Sequence, residues 1–179
     1  MSTEFIAQPR RMRVEPATTR DLDAVRGAYS DARATQAARG AILWPVFSNE
    51  SIVAQMASGQ LLRVIDSDAL VGVFTVAYED EAIWEHRECG AHVYLHRIAR
   101  VSSYAGRGLI DAVLEWAHEH CRALDREGLR IDTWASNERL IAFYARHGFR
   151  VVERRRIGDD PRLPPHYHGN EFALLERPV

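Results

Sequence analysis

The sequence predicts an α/β fold of the mixed α+β kind: one central sheet of six to seven strands with about four helices on both faces. Three observations predict it. Short stretches alternate apolar and polar residues as half-buried strands do, the clearest being Gln60 to Asp66 and Ala69 to Tyr78, joined by Ser67-Asp68 as a hairpin turn. Ile110, Val113, Leu114, Ala117, Cys121 and Leu124 form one apolar stripe at helical spacing. The element order is strand, two helices, three strands, helix, strand, helix, two strands. That order gives a mixed sheet rather than a uniformly parallel one.

In chain order, Arg11 to Pro16 alternates, with Met12 and Val14 on one face. Thr18-x-x-Asp21 is a capping box, and Leu22, Val25 and Tyr29 follow at helical spacing. Gly40 ends that helical region. Trp44, Pro45 and Phe47 form an apolar loop before a second helix, Asn49 to Ser58. Glu79 to Gly90 is mostly acidic and reads as a long loop. Ala91 to Val101 is the fourth strand, and Ser102 to Gly108 is a turn into the long helix. Leu129 to Trp134 is the fifth strand. Ser136 is expected to cap a short helix that ends at Gly148, a fitting residue for a helix C′ position. Phe149 to Ile157, a loop with three prolines from Gly158 to Asn170, and Glu171 to Glu176 complete the chain.

The 179 residues suit one domain, expected over 12–179 behind a flexible tail at 1–11. A net charge of −2 gives no basic footprint, so nucleic acid is not an expected partner. No apolar run reaches the roughly 20 residues that span a bilayer, so no membrane partner is expected either. Cys89 and Cys121 cannot form a disulfide framework, which makes a reducing cytoplasm the default location. All 23 basic residues are arginine. Arginine binds phosphate well, but a codon bias explains the excess without function.

Two segments carry chemistry. Gly106 and Gly108, with Arg107 between them, precede the long helix. Glycines let a ligand approach the backbone, and the helix start offers free N–H groups and a positive dipole end, so the segment suits phosphate. A tight strand–helix turn explains a lone G-x-G better than a phosphate site does. In the second segment Asn137 and Tyr144 are seven residues apart, which places them on one helix face about 10 Å apart. His86, Cys89, His92 and His96 form a run with zinc-like spacing. Alternation puts only His92 and His96 on one strand face, so no metal is expected. His118 and His120 are read as surface residues.

These segments follow one another as in a known family. Asp66-Ser67-Asp68-Ala69-Leu70-Val71-Gly72, Leu95-His96-Arg97-Ile98-Ala99 with Tyr104-Ala105-Gly106-Arg107-Gly108, Ile131-Asp132-Thr133 with Asn137 and Phe143 to Phe149, and Phe172 to Pro178 occur in order. Over Met12 to Val179 the chain resembles the GNAT superfamily of N-acetyltransferases. There are departures. Against the family's Arg/Gln-x-x-Gly-x-Gly/Ala loop, Ala105 holds the first position, Gly108 the middle glycine and Ile110 the last, and Arg100 stands where an apolar residue is usual.

The resemblance implies a GNAT-like fold and direct acetyl transfer from acetyl-CoA to a primary amine of a small molecule or peptide. It implies CoA contacts from Ile98, Ala99, Arg100, Ala105, Gly106, Arg107, Gly108, Leu109, Ile110, Asn137 and Tyr144. Tyr144 matches the residue that assists the leaving thiolate, and backbone amides near Ile98 and Ala99 match the oxyanion donors. His96 is the first candidate for a general base, with His92 and Glu88 as alternatives. The acceptor pocket is expected from 39–47, 79–90 and 158–170, and the resemblance leaves room for a homodimer. The competing class is a non-catalytic acyl-CoA-binding or regulatory module.

Overall fold

The computed structural model describes residues 12–104 and 108–179. The expected tail at 1–11 and the expected CoA contacts Ala105, Gly106 and Arg107 lie outside the described residues. Seven strands form one sheet: β1 (Arg13–Pro16), β2 (Leu61–Asp66), β3 (Ala69–Ala77), β4 (His92–Arg100), β5 (Gly128–Trp134), β6 (Arg150–Arg156) and β7 (Glu171–Pro178). Their spatial order is β1-β2-β3-β4-β5-β7-β6. Among the described residues only β4 and β5 pair in parallel, and the other neighbour pairs are antiparallel. The helices are α1 (Leu22–Ala38), α2 (Asn49–Ala57), α3 (Glu81–Trp84), α4 (Leu109–Ala123) and α5 (Glu138–Arg146).

Local sequence sets the starts and turns. Thr18 and Asp21 make the capping box, with the Thr18 N–H donating to Asp21 Oδ2 at 2.7 Å. Ser48 Oγ accepts from the Ser51 N–H and caps α2. Ser67 and Asp68 both take positive φ, the geometry of a type I′ hairpin turn.

The apolar stripe of α4 buries Val113, Leu114, Ala117 and Cys121 against one sheet face, beside Ile141 of α5. Leu95 of β4 and Ile131 of β5 point into that core. The opposite face carries two smaller clusters. Helices α1 and α2 cover Leu61, Val73 and Ala99. Helix α3 and the β6–β7 loop cover Tyr94, Phe172 and Leu174.

Gly72 is required where β3 meets β4. A Cβ there would lie 2.5 Å from the Ala99 carbonyl oxygen and 2.9 Å from Leu109 Cδ2. The carbonyl belongs to the sheet and cannot swing away. Gly72→Ala is therefore expected to destabilise the fold by about 1–3 kcal/mol, as overpacking does. Chemical denaturation measures this, and an unchanged midpoint would show that β3 and β4 separate freely.

Three expectations change. The segment Glu79 to Gly90 is not a plain loop: α3 and a following turn bury Ile83 and Trp84. Those two apolar residues drive the acidic stretch back onto the sheet. The cap of α5 is Asn137 rather than Ser136, because Asn137 Oδ1 accepts from the Leu140 N–H at 3.2 Å. His120 is not a free surface residue. It stacks on Trp116 one turn earlier, with ring centres 4.5 Å apart, and its Nε2 lies 2.9 Å from the Tyr78 hydroxyl.

Candidate active site

Strands β4 and β5 pair only from His92↔Gly128 to Tyr94↔Arg130. Beyond that point β4 runs on to Arg100 beside β3, and β5 runs on to Trp134 beside β7. The two strands thus part and leave a notch in the middle of the sheet. Ile98, Ala99 and Arg100 lie on the β4 side of it. The Arg100 side chain is exposed and donates to the Tyr104 carbonyl at 3.3 Å.

Helix α4 begins beside the notch. Gly108 caps it with φ of 100°, a conformation costly for any residue with a Cβ. The first helical bond received runs from the Ala112 N–H to the Gly108 carbonyl. The N–H groups of Leu109, Ile110 and Asp111 therefore have no partner within the helix. That set, at the positive end of a helix of 15 residues, suits an anionic phosphate.

Helix α5 lies beyond β5 and carries Tyr144. Its end is fixed by a Schellman motif: the Phe149 N–H donates to the Tyr144 carbonyl, and the Gly148 N–H to Ala145. The accompanying apolar contact is between Tyr144 and Phe149, with ring centres 5.7 Å apart. The Tyr144 ring is thus held by the chain reversal that follows it. Burial, helped by the charge of Asp132, raises its phenol pKa well above the ordinary value, so it keeps its proton. The hydroxyl has no hydrogen-bond partner among the described residues. Asn137, at the cap of the same helix, uses Oδ1 on the backbone and has its amide N–H groups left over.

Asp132 of β5 connects this region to β4. Its side chain is 6% exposed, and Oδ1 lies 3.4 Å from His96 Nδ1. The other ring nitrogen, His96 Nε2, lies 3.3 Å from Asp80 Oδ2. One imidazole therefore bridges two largely buried carboxylates. Burial alone would lower the His96 pKa, but Asp132 and Asp80 overcome it and raise it to about 10. Burial raises the Asp80 pKa against the pull of His96. At neutral pH the His96 imidazolium sits between the two aspartate side chains. The three side chains are also close enough to enclose a cation.

The alternative bases are committed elsewhere. Glu88 accepts from the Tyr94 hydroxyl at 2.5 Å and from the N–H groups of Asp80 and Gly90, and these bonds offset its burial and lower its pKa. His92 is 5% exposed, faces Glu176 at 3.5 Å, and is held neutral by burial. The zinc-like run is dispersed. His86 meets Arg155 and Glu153, Cys89 Sγ lies 3.6 Å from His92, and His96 belongs to the aspartate trio. The roles of Asp80 and Asp132 are absent from the sequence reading, although both lie in segments it singles out.

Comparisons with known proteins agree with this geometry. Residues 28–149 match the model of the acetyltransferase (GNAT) family. An uncharacterized N-acetyltransferase, YesJ from Bacillus subtilis (strain 168), is 33% identical over 73 residues, 41% of either chain. The alignment thus spans about two fifths of that relative's length. A GNAT-family acetyltransferase from Listeria monocytogenes 4b F2365 superposes with a TM-score of 0.71 at 20% identity, covering 94% of this chain and 95% of its own. A PaiA N-acetyltransferase from Thermoplasma acidophilum, solved in complex with coenzyme A, gives 0.64 at 13% identity, covering 94% and 99%. The parted strands, the helix start beside them and the family match over more than half of the sequence lead to one conclusion: the chain belongs to the acetyltransferase (GNAT) family.

Proposed function

We propose that this acetyltransferase moves the acetyl group of acetyl-CoA directly to a primary amine of a small molecule or peptide. The observation that carries the reading is Asp132. It is close enough to Tyr144 for its charge to act on the phenol, and it touches His96. The two candidate proton-handling groups therefore share one neighbour beside the β4–β5 notch.

The amine reaches the site as an ammonium, a fitting partner for the carboxyl groups of Asp80 and Asp132. It must lose a proton before its lone pair can attack the thioester carbonyl. The fraction of His96 that stands as neutral imidazole accepts that proton, and this fraction grows as pH rises toward about 10. Backbone N–H groups near Ile98 and Ala99 stabilise the oxyanion. As the intermediate collapses the carbon–sulfur bond breaks, and Tyr144 donates to the departing thiolate. Gly108, Leu109 and Ile110, with Ala105 to Arg107, hold the pyrophosphate through backbone amides, and Asn137 contributes its free amide. The two free cysteines suit a reducing compartment such as the cytoplasm.

Thiol release with a panel of amines tests the reading. Turnover is expected with at least one primary amine. Acetyl-CoA binding without turnover on any amine would favour the non-catalytic module instead. The backbone cradle has its own check. Gly108→Val is expected to raise the CoA dissociation constant at least about tenfold, because valine cannot hold the positive φ that aims the first turn. Arg107→Ala should cost less, since its charge is screened by salt. A larger loss in Arg107→Ala by calorimetry would overturn the cradle.

A further inference from the structure

His96 and Arg97 are consecutive, so regular alternation would send them to opposite sheet faces. A bulge prevents this. Thr75 pairs with His96 and Val73 with Ala99, so Phe74 alone stands opposite both Arg97 and Ile98. Arg97 absorbs the extra residue with φ of 52°, a conformation that non-glycine residues seldom take. Leu95 and Ile98 both face the α4 core, three positions apart. Arg97 instead turns to the face that carries His96, where its guanidinium lies 4.1 Å over the Phe47 ring.

No carboxylate among the described residues forms an ion pair with Arg97; it donates to Gln55 Oε1 at 3.2 Å and lies near enough to the Tyr29 phenol to act on it. Its neighbour Phe47 packs on Tyr29, and Trp44 completes an aromatic wall. A half-buried guanidinium has five N–H donors, and an oxyanion that accepts two of them at once is their best partner. On the same face, one residue away, the trio brings the carboxyl groups of Asp80 and Asp132 together. A guanidinium and a pair of carboxyl groups so close together complement a compact molecule that carries both an ammonium and an acid.

We propose that Arg97 binds an acidic group of the acceptor, so that the acceptor is a small amine that also carries a carboxylate, phosphinate or phosphonate, of the amino-acid class. This rests on the acetyl-transfer reading above. The ammonium end lies toward the aspartate trio and the acid end toward Arg97. The bulge at Arg97 then has a purpose: it brings the acid-reading residue to the same face as the proton-handling one.

The test compares L-amino acids and aminoalkylphosphonates with their carboxamides and with amines that lack the acid. Thiol release gives kcat/KM, and calorimetry on the CoA complex gives affinity. The wild-type protein is expected to prefer an acid-bearing amine over its uncharged counterpart by roughly 10–10²-fold, the range for charge-assisted hydrogen bonds. Arg97→Met should remove that preference through KM and leave the acetyl-CoA dissociation constant unchanged, and Arg97→Lys should keep part of it. If Arg97 only fastens α2 to the sheet, Arg97→Met lowers the melting temperature and leaves the preference intact, which overturns the proposal. Equal turnover of acid and carboxamide by the wild-type protein, or no binding of any acid-bearing amine, overturns it even where Arg97→Met does not fold. Arg97-dependent binding of such an amine without thiol release would sustain Arg97's role and overturn acetyl transfer.

Discussion

Tyr144→Phe is expected to lower kcat by roughly 10²-fold, the low end for one acid–base group, while the acetyl-CoA dissociation constant changes little. Phenylalanine keeps the ring, so the contact with Phe149 that closes α5 is preserved. What is lost is one O–H. Its raised pKa, caused by burial and then by Asp132, makes the phenol a weaker acid than the CoA thiol, whose pKa is near the usual thiol value of about 8.5. Complete proton transfer to sulfur is therefore uphill, and the hydroxyl acts as a hydrogen-bond donor while negative charge grows on sulfur. Such an interaction belongs to the transition state, so it should appear in kcat rather than in binding. Asn137→Ala is expected to do the reverse and weaken CoA binding. Thiol release and calorimetry separate the two, and full activity in Tyr144→Phe would leave water as the proton source.

Much of this architecture is legible because it is written in short stretches. The Thr18–Asp21 box, the Ser67-Asp68 turn, the α4 stripe and the glycine after α5 each need fewer than about 15 neighbouring residues to recognise. What is not legible depends on distance along the chain. Asp80, His96 and Asp132 come from three separate elements and meet only when β4 and β5 lie side by side. Glu79 to Gly90 looks like a solvated acidic loop because five carboxylates outweigh Ile83 and Trp84 in any local average, yet those two residues decide its path. The bulge at Arg97 is hidden for another reason. Alternation assigns faces by counting in twos, and one inserted residue reverses every later assignment without changing composition. Asn137 shows a smaller failure: Ser136 and Asn137 are both good caps, and only the chain path out of β5 chooses between them.

The largest effect of pH should come from the aspartate-bridged His96. With an amine of pKa near 8, such as the α-amino group of a short peptide, the reacting pair is the ammonium and the neutral His96, so kcat/KM should rise to about pH 8, run level to the His96 value of about 10 and fall beyond it. The amine alone would leave the profile level above about pH 8 with no such fall. Asp132→Asn keeps the side-chain shape and removes one of the two charges that hold the imidazolium. The alkaline limb should then move down by about 1–3 pH units, the usual effect of one close opposite charge. Stability should follow the same group. A histidine whose pKa is higher in the folded chain than in the unfolded one stabilises fully below about 6.5, and this contribution disappears as pH rises through about 10. Denaturant unfolding of the wild-type protein should therefore show stability falling between those limits, and Asp132→Asn should show a shallower fall. Asp132→Asn should also be less stable at neutral pH by about 3 kcal/mol, the scale of breaking a buried charge pair. A limb that stays in place in Asp132→Asn, together with an unchanged pH dependence of unfolding, would make the trio a structural ion cluster and assign the proton transfer to solvent.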